Sequence, residues 1–204
     1  MWVIDVKDMY NSLDNKFGLE ALAYWLKKYP ELKNSRFSDN FILAAMQMIL
    51  DNNVGYFAGN FYKQVNGTAT GIKPAPTYAN LAMGYFEILL FHKLLFNLGN
   101  KVACYFWRQF RRYLDDGQIM WDTRLGNFKE VIYYLNNING SIKFTASNSF
   151  TEIIFLDVRV LKTLKGFETI VYSKDTDADS YLNFQSCHPR HTKENIPFKP
   201  FKSL

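Results

Sequence analysis

Tyr113-Leu114-Asp115-Asp116 is the stretch on which the reading of this sequence turns. Its two adjacent acids lie between the apolar runs Tyr105-Phe106-Trp107 and Gln118-Ile119-Met120-Trp121. Their like charges repel, and the flanking strands place them at the edge of a core, a poor arrangement for solubility alone. A divalent cation removes the conflict, because Mg²⁺ takes hard oxygen ligands and is commonly held by one or two carboxylates plus substrate phosphates. Asp and Gly also favour turns, so Asp115-Asp116-Gly117 reads equally well as a plain hairpin turn. Asp5 shifts the balance, since it too follows an apolar strand run, Trp2-Val3-Ile4. A sheet that lays this strand beside the Tyr113 hairpin brings Asp5, Asp115 and Asp116 to one edge. Three converging carboxylates are what a two-metal phosphoryl-transfer centre requires.

The rest of the chain is consistent with one α+β domain. Its 204 residues are 48% hydrophobic and 21% charged, which excludes wholesale disorder, and 18 Phe, 13 Tyr and 4 Trp are enough bulky side chain to fill a core. Lys plus Arg minus Asp plus Glu is 24 − 19 = +5, a basic balance that suits a nucleic-acid partner. Cys104 and Cys187 form no CxxC pair and read as incidental thiols of an intracellular chain, and there is no secretory signal pattern at the N-terminus. Residues 75–97 approach the length of a bilayer span, but Asn80, Glu87, His92 and Lys93 are costly in hydrocarbon, so a buried helix and no membrane is expected.

Further elements follow from pattern. A helix is expected over Lys16–Lys28, stopping before Pro30, and a second after the N-cap Ser38. Val54–Gln64 reads as a hairpin turning at Gly59-Asn60, and Gln64–Pro76 as a loop into a long helix. Lys101–Trp121 reads as another hairpin, with Asp115, Asp116 and Gly117 in its turn. Phe128–Ile138 reads as an amphipathic helix closed by Gly140. Strands are expected over Ser141–Ala146, Ile153–Leu161 and Gly166–Tyr172.

The ordered set Asp5…Tyr10, Gln64…Gly67…Gly71…Pro74 and Tyr113-Leu114-Asp115-Asp116 resembles motifs A, B and C of reverse transcriptases. Downstream, Phe144–Ser147, Phe155–Val158, Lys174, Tyr181-Leu182 and Ser186-Cys187-His188-Pro189 are similar to the Penelope-like retroelement group. The resemblance spans nearly the whole chain. It implies a polymerase palm, an antiparallel sheet with helices packed on one face. Residues 1–185 would carry motifs A to E, and 186–204 would be a basic tail that starts the connection to a thumb. It implies RNA-directed DNA synthesis with two Mg²⁺ ions, for which Mn²⁺ can substitute, on an RNA template and DNA primer with deoxynucleoside triphosphates, in the nucleus. The alternative is a catalytically inactive nucleic-acid-binding remnant. An RNA-templated RNA polymerase is a third reading, against which Tyr10 speaks.

Carried over by position, the resemblance makes Asp5, Asp115 and Asp116 catalytic and metal-binding, with the Val6 carbonyl as a further ligand. Tyr10 would be the aromatic gate beneath the incoming sugar, rejecting a 2′-OH by clash; as a residue alone it reads as a core aromatic. Gln64, Gly67 and Gly71 would touch nucleotide and template, glycine allowing close backbone approach, or form an ordinary connection. Lys143 would sit near the leaving pyrophosphate as acid or charge clamp, or be solvated. Phe155 and Leu156 would belong to the hairpin that grips the primer, or to a plain strand. Thr77, Asn80, Gly84 and Glu87 share a helix face that lies against the template or forms a packing seam. Lys101, Arg108, Arg111 and Arg112 put four cations into twelve acid-free residues, a candidate phosphate-binding patch. Tyr105, Phe106 and Trp107 stack on bases or face the core. Cys187, His188 and His191 lack the paired spacing of a zinc site. Thr70-Gly71 departs from the family's Met-Gly. The fingers that precede motif A and a thumb are missing, so a fragment with an edge strand at Trp2–Ile4 is expected, completed by a fingers and thumb region from elsewhere.

Overall fold

Alternation along Trp2-Val3-Ile4-Asp5-Val6 sends Ile4 and Val6 to one face and Val3 and Asp5 to the other. A computed structural model of the chain describes residues 1–174, 185–187 and 189–190. In it β1 (Trp2–Val6) pairs antiparallel with β5 (Asp116–Ile119) on one side and with β6 (Phe144–Asn148) on the other. With β4 (Arg111–Tyr113) the order is β4-β5-β1-β6. The first strand is therefore central, against the expectation of an edge strand, because residues 144–148 return to cover its second side.

One face of this sheet is apolar and carries the helices, as the alternation requires. Ile4, Val6, Ile119 and Phe144 point into the core, where the Phe144 ring meets Phe86 at 5.1 Å. Phe86 belongs to α4 (Ala75–Leu98), whose buried Tyr78, Ala79, Ala82, Met83, Phe86, Leu90 and Leu94 recur at three- and four-residue spacing. By length and composition this helix could cross a membrane; here its buried stripe is the spine of the core. Against it pack α2 (Asn15–Lys28), α5 (Asn100–Gln109) and α6 (Phe128–Leu135), while α3 (Asp39–Asp51) packs on α2. Side-chain caps start α2 and α3: Asp14 accepts from the Phe17 amide at 3.0 Å, and Ser38 from Phe41 at 3.2 Å. The expected α+β palm architecture, an antiparallel sheet with helices on one face, is what the chain adopts.

Several local expectations fail for identifiable reasons. Residues 101–109 are helical, not a strand: Val102, Ala103 and Phe106 are buried at helical spacing, and the adjacent aromatics only imitate a β pattern. The second hairpin turns at Leu114-Asp115, with Asp116 and Gly117 inside β5. The hairpin of β2 (Val54–Phe57) and β3 (Asn60–Lys63) turns at Ala58-Gly59, one residue early, both at positive φ. Residues 153–161 are two strands, β7 (Glu152–Phe155) and β8 (Val158–Thr163), because Leu156 at φ 54° reverses the chain. Helix α6 ends at Leu135, well before Gly140, since Asn136 turns its side-chain oxygen to the Phe144 amide at 2.9 Å. Strand β9 (Gly166–Val171) joins β7 and β8.

The chain divides into two units, Met1–Ile170 and Val171–Leu204. The boundary expected at residue 185 falls inside the second. Tyr181-Leu182, His188, His191 and the tail lysines Lys193, Lys199 and Lys202 lie outside the described residues.

Candidate active site

The pairing of β1 with the hairpin of β4 and β5 decides where the acids meet. Register sets Asp5 directly opposite Asp116 on β5 and opposite Thr145 on β6, on the sheet face away from the helices. Tyr113 pairs with Asp116, so Leu114 and Asp115 alone make the turn. Leu114 has φ 52°, a conformation that costs a non-glycine residue about 1–3 kcal/mol. Its side chain packs on the core, and both turn carbonyls are anchored. The Val6 amide donates to the Asp115 carbonyl at 3.1 Å, and Arg112 Nη1 donates to the Leu114 carbonyl at 2.7 Å.

Arg112 is held in turn by α4. Its Nε donates to the Glu87 carboxylate and its Nη1 to Asn80 Oδ1 at 3.0 Å. Side-chain exposures of 12% for Arg112 and 23% for Glu87 make this a largely desolvated ion pair. The candidate phosphate contact thus has its guanidinium engaged within the fold, and the Asn80–Glu87 stripe serves packing: Gly84 on the same stripe abuts the Trp25 ring, 3.2 Å from where a Cβ would stand. Arg112→Met is expected to destabilise the protein by about 2 kcal/mol, below the roughly 3–5 kcal/mol of a fully buried pair. Adding Glu87→Gln should restore part of the loss. Urea denaturation of the single and double variants checks this.

Electrostatics single out Asp5. Burial raises its pKa above 3.8, the charges of Asp115 and then Asp8 raise it further, and a hydrogen bond with the Thr145 side chain opposes them. A raised carboxyl pKa means that the folded state binds the proton more tightly than the unfolded one. Stability is therefore lost as pH rises from 3.8 through the folded value. Asp5→Asn is accordingly expected to raise Tm by about 2 °C at neutral pH without divalent cations, and to lose this advantage under acid conditions. Melts in a chelator at the two pH values test it.

This electrostatic conflict bears on whether a cation fits. Among the described residues no group of three His, Cys, Asp or Glu side chains could hold a metal ion between them. What the protein offers is a hard-oxygen pair, Asp5 and Asp115, with Asp116 across the ladder from Asp5. That donor chemistry suits Mg²⁺, which keeps several waters and completes its shell with substrate phosphates.

Two expected nucleotide-contacting segments also meet. Thr68 donates its amide to the Tyr10 carbonyl at 2.8 Å, and Gly67, at φ 77°, lies so close that a Cβ would stand 2.6 Å from that oxygen. The close approach that Gly67 permits is thus to its own chain. Tyr10, in the short α1 (Met9–Ser12), is half-buried against the core. Gly71 has open space about it. Gln64 is tied to Asn53, accepting at 2.5 Å on its side chain and donating its amide at 2.9 Å. Lys143 is exposed and donates Nζ to the Asn136 carbonyl beyond α6 at 3.1 Å, while its own carbonyl accepts from Lys7 at 2.8 Å.

The remaining candidates are dispersed. Lys101 and Arg108 are exposed on α5, and Arg111 is exposed on β4 with Nη1 on the Phe110 carbonyl at 2.8 Å. Phe155 and Leu156 stand at the turn between β7 and β8. Phe106 is buried, Tyr105 donates its hydroxyl to the Met120 carbonyl at 2.7 Å, and Trp107 is exposed beside Phe91. Sequence reasoning missed Asp8 and Thr145, which act on Asp5. The spacing Asp5-Val6-Lys7-Asp8 was the available signal for the former.

The sheet order, the helices on one face and the acid-bearing hairpin make a fold that solved telomerase structures share. Similar solved structures are two of telomerase from Candida tropicalis, both apo. One, truncated from the C-terminal domain, has a TM-score of 0.58 at 14% identity over 83% of this chain and 35% of its own. The other has a TM-score of 0.53 at 14% identity over 78% and 30%. The likeness is one of fold, and the chain spans about a third of the length of those chains. No family model and no curated protein matches the sequence.

Proposed function

We propose that this chain is the palm of an RNA-directed DNA polymerase of the Penelope-like retroelement kind, acting in the nucleus. It would extend a DNA primer on an RNA template with deoxynucleoside triphosphates. The observation that carries this reading is the position of Asp5 opposite Asp116 and beside Asp115, on the open face of a sheet whose other face is packed. Asp5 and Asp115, helped by Asp116 and the Val6 carbonyl, would hold divalent cations, Mg²⁺ or Mn²⁺. Bound there, such ions lower the pKa of a primer hydroxyl and neutralise a leaving pyrophosphate.

The chain's own residues do the positioning. The anchored turn carbonyls fix the Asp115 backbone relative to β1. The contact of Gly67 and Thr68 with the Tyr10–Asn11 backbone holds that segment in place, and Tyr10 would serve there as the sugar gate. The hairpin turning at Leu156 would present Phe155 and Leu156 to the primer, and Lys143 would face the departing phosphates. Exposed Lys101, Arg108 and Arg111 add salt-dependent phosphate contacts.

One observation favours a rival, an inactive nucleic-acid-binding remnant: among the described residues no three acidic, His or Cys side chains group closely enough to hold a metal ion. Primer extension on an RNA template with Mg²⁺ separates the two. Incorporation that needs the cation supports the polymerase, whereas template binding without incorporation supports the remnant.

A further inference from the structure

The β2–β3 hairpin lies outside the acid-bearing sheet. Its register pairs Tyr56 with Phe61 and Val54 with Lys63, so these four share one face, while Phe57 and Tyr62 occupy the other. Every residue of both strands is exposed; Tyr56, Phe57, Phe61 and Tyr62 are 66%, 74%, 78% and 56% accessible. A lone two-stranded ribbon is marginal in water, and so many open rings in one place mark a surface that something covers. Its charge says what. From Asn52 to Phe86 the sequence contains no Asp or Glu, but it does contain Lys63, on the hairpin, and Lys73, in the loop that follows. A basic, acid-free stretch complements a phosphate backbone, which acidic side chains would repel. Rings on both faces also suit a flexible strand better than a flat protein surface.

We propose that this hairpin binds single-stranded nucleic acid, stacking unpaired bases on Tyr56 and Phe61 while Lys63 neutralises a phosphate. Every base offers a π-face, so binding is tolerant of sequence. A duplex keeps its base faces stacked internally and gains little here. The inference deepens the polymerase reading, which supplies a reason for unpaired template to pass the loop at Gln64, but its test does not depend on catalysis.

Fluorescence anisotropy of the full chain with labelled single-stranded and duplex oligonucleotides provides that test. The double variant Tyr56→Ala/Phe61→Ala is expected to weaken single-strand affinity about tenfold or more and duplex affinity by less than about twofold. Lys63→Ala should lower the slope of log affinity against log salt by about 0.7. Phe61→Trp, which keeps a stacking ring, should retain affinity and show indole quenching on binding, which separates lost stacking from lost folding. Equal affinity of wild type and double variant for single strands overturns the proposal, as does equal loss on duplex. Self-association abolished by the double variant with nucleic-acid affinity unchanged also overturns it. Hairpin-dependent binding without primer extension would remove the polymerase reading alone. Extension with hairpin-independent binding would remove this proposal alone.

Discussion

Asp115→Asn is expected to lower primer extension by about 10³-fold or more while leaving the fold intact. The substitution keeps the size of the side chain and removes its charge. In a two-metal centre the lost charge stabilisation amounts to several kcal/mol, and each 1.36 kcal/mol or so is tenfold in rate. Folding should survive, because the turn is held by backbone atoms, through the Val6 amide and the Arg112 guanidinium, not by the Asp115 carboxylate. Steady-state extension on an RNA template, with a thermal melt as control, measures both halves. A variant that extends at the wild-type rate would exclude Asp115 from the chemistry.

Gly67→Ala is expected to be the most destabilising of the glycine substitutions near the site. Its φ of 77° disfavours any L side chain, and an added Cβ would stand 2.6 Å from the Tyr10 carbonyl oxygen and 2.8 Å from Asn11 Cα. The neighbour is backbone and cannot turn aside, so a cost of about 3 kcal/mol and a fall in Tm of roughly 10 °C are expected. Gly71→Ala supplies the contrast: nothing lies within 4 Å of its Cβ position and its φ is not positive, so its effect should stay within about 0.5 kcal/mol. Thermal unfolding of the two variants, side by side, distinguishes a glycine required by the fold from one that is not.

That contrast bears on how much the sequence disclosed. Asp5 beside the Tyr113 hairpin was legible because strand runs that end in acids have few places to go within one sheet. Ser38 was legible as a cap because its hydroxyl acts locally. Turn positions were less so. Asp115-Asp116-Gly117 has turn chemistry in abundance, yet the chain reverses at Leu114-Asp115, and again at Leu156-Asp157, with leucine in a conformation that no local preference favours. Tertiary packing holds Leu114 in place, and packing is invisible in a list of residues. The helix over Asn100–Gln109 was hidden by its aromatic run. The Glu87–Arg112 pair was hidden by the sequence distance between its partners, which only the docking of the hairpin on α4 closes.

The central place of β1 has a consequence for how the protein is made. Its partners, residues 116–119 and 144–148, are synthesised long after it. Until Asn148 leaves the ribosome the sheet cannot close, and β1 waits without its partners while the residues between emerge. Such long-range pairing makes folding slow and leaves open edges for other chains to join. The helices from Asn15 to Gln109 emerge in the interval and can gather around α4 first, giving the waiting strand a surface to shelter on. Assembly of the acid-bearing face thus comes late in translation, after helices α1 to α6 have emerged, and chaperone demand should concentrate there.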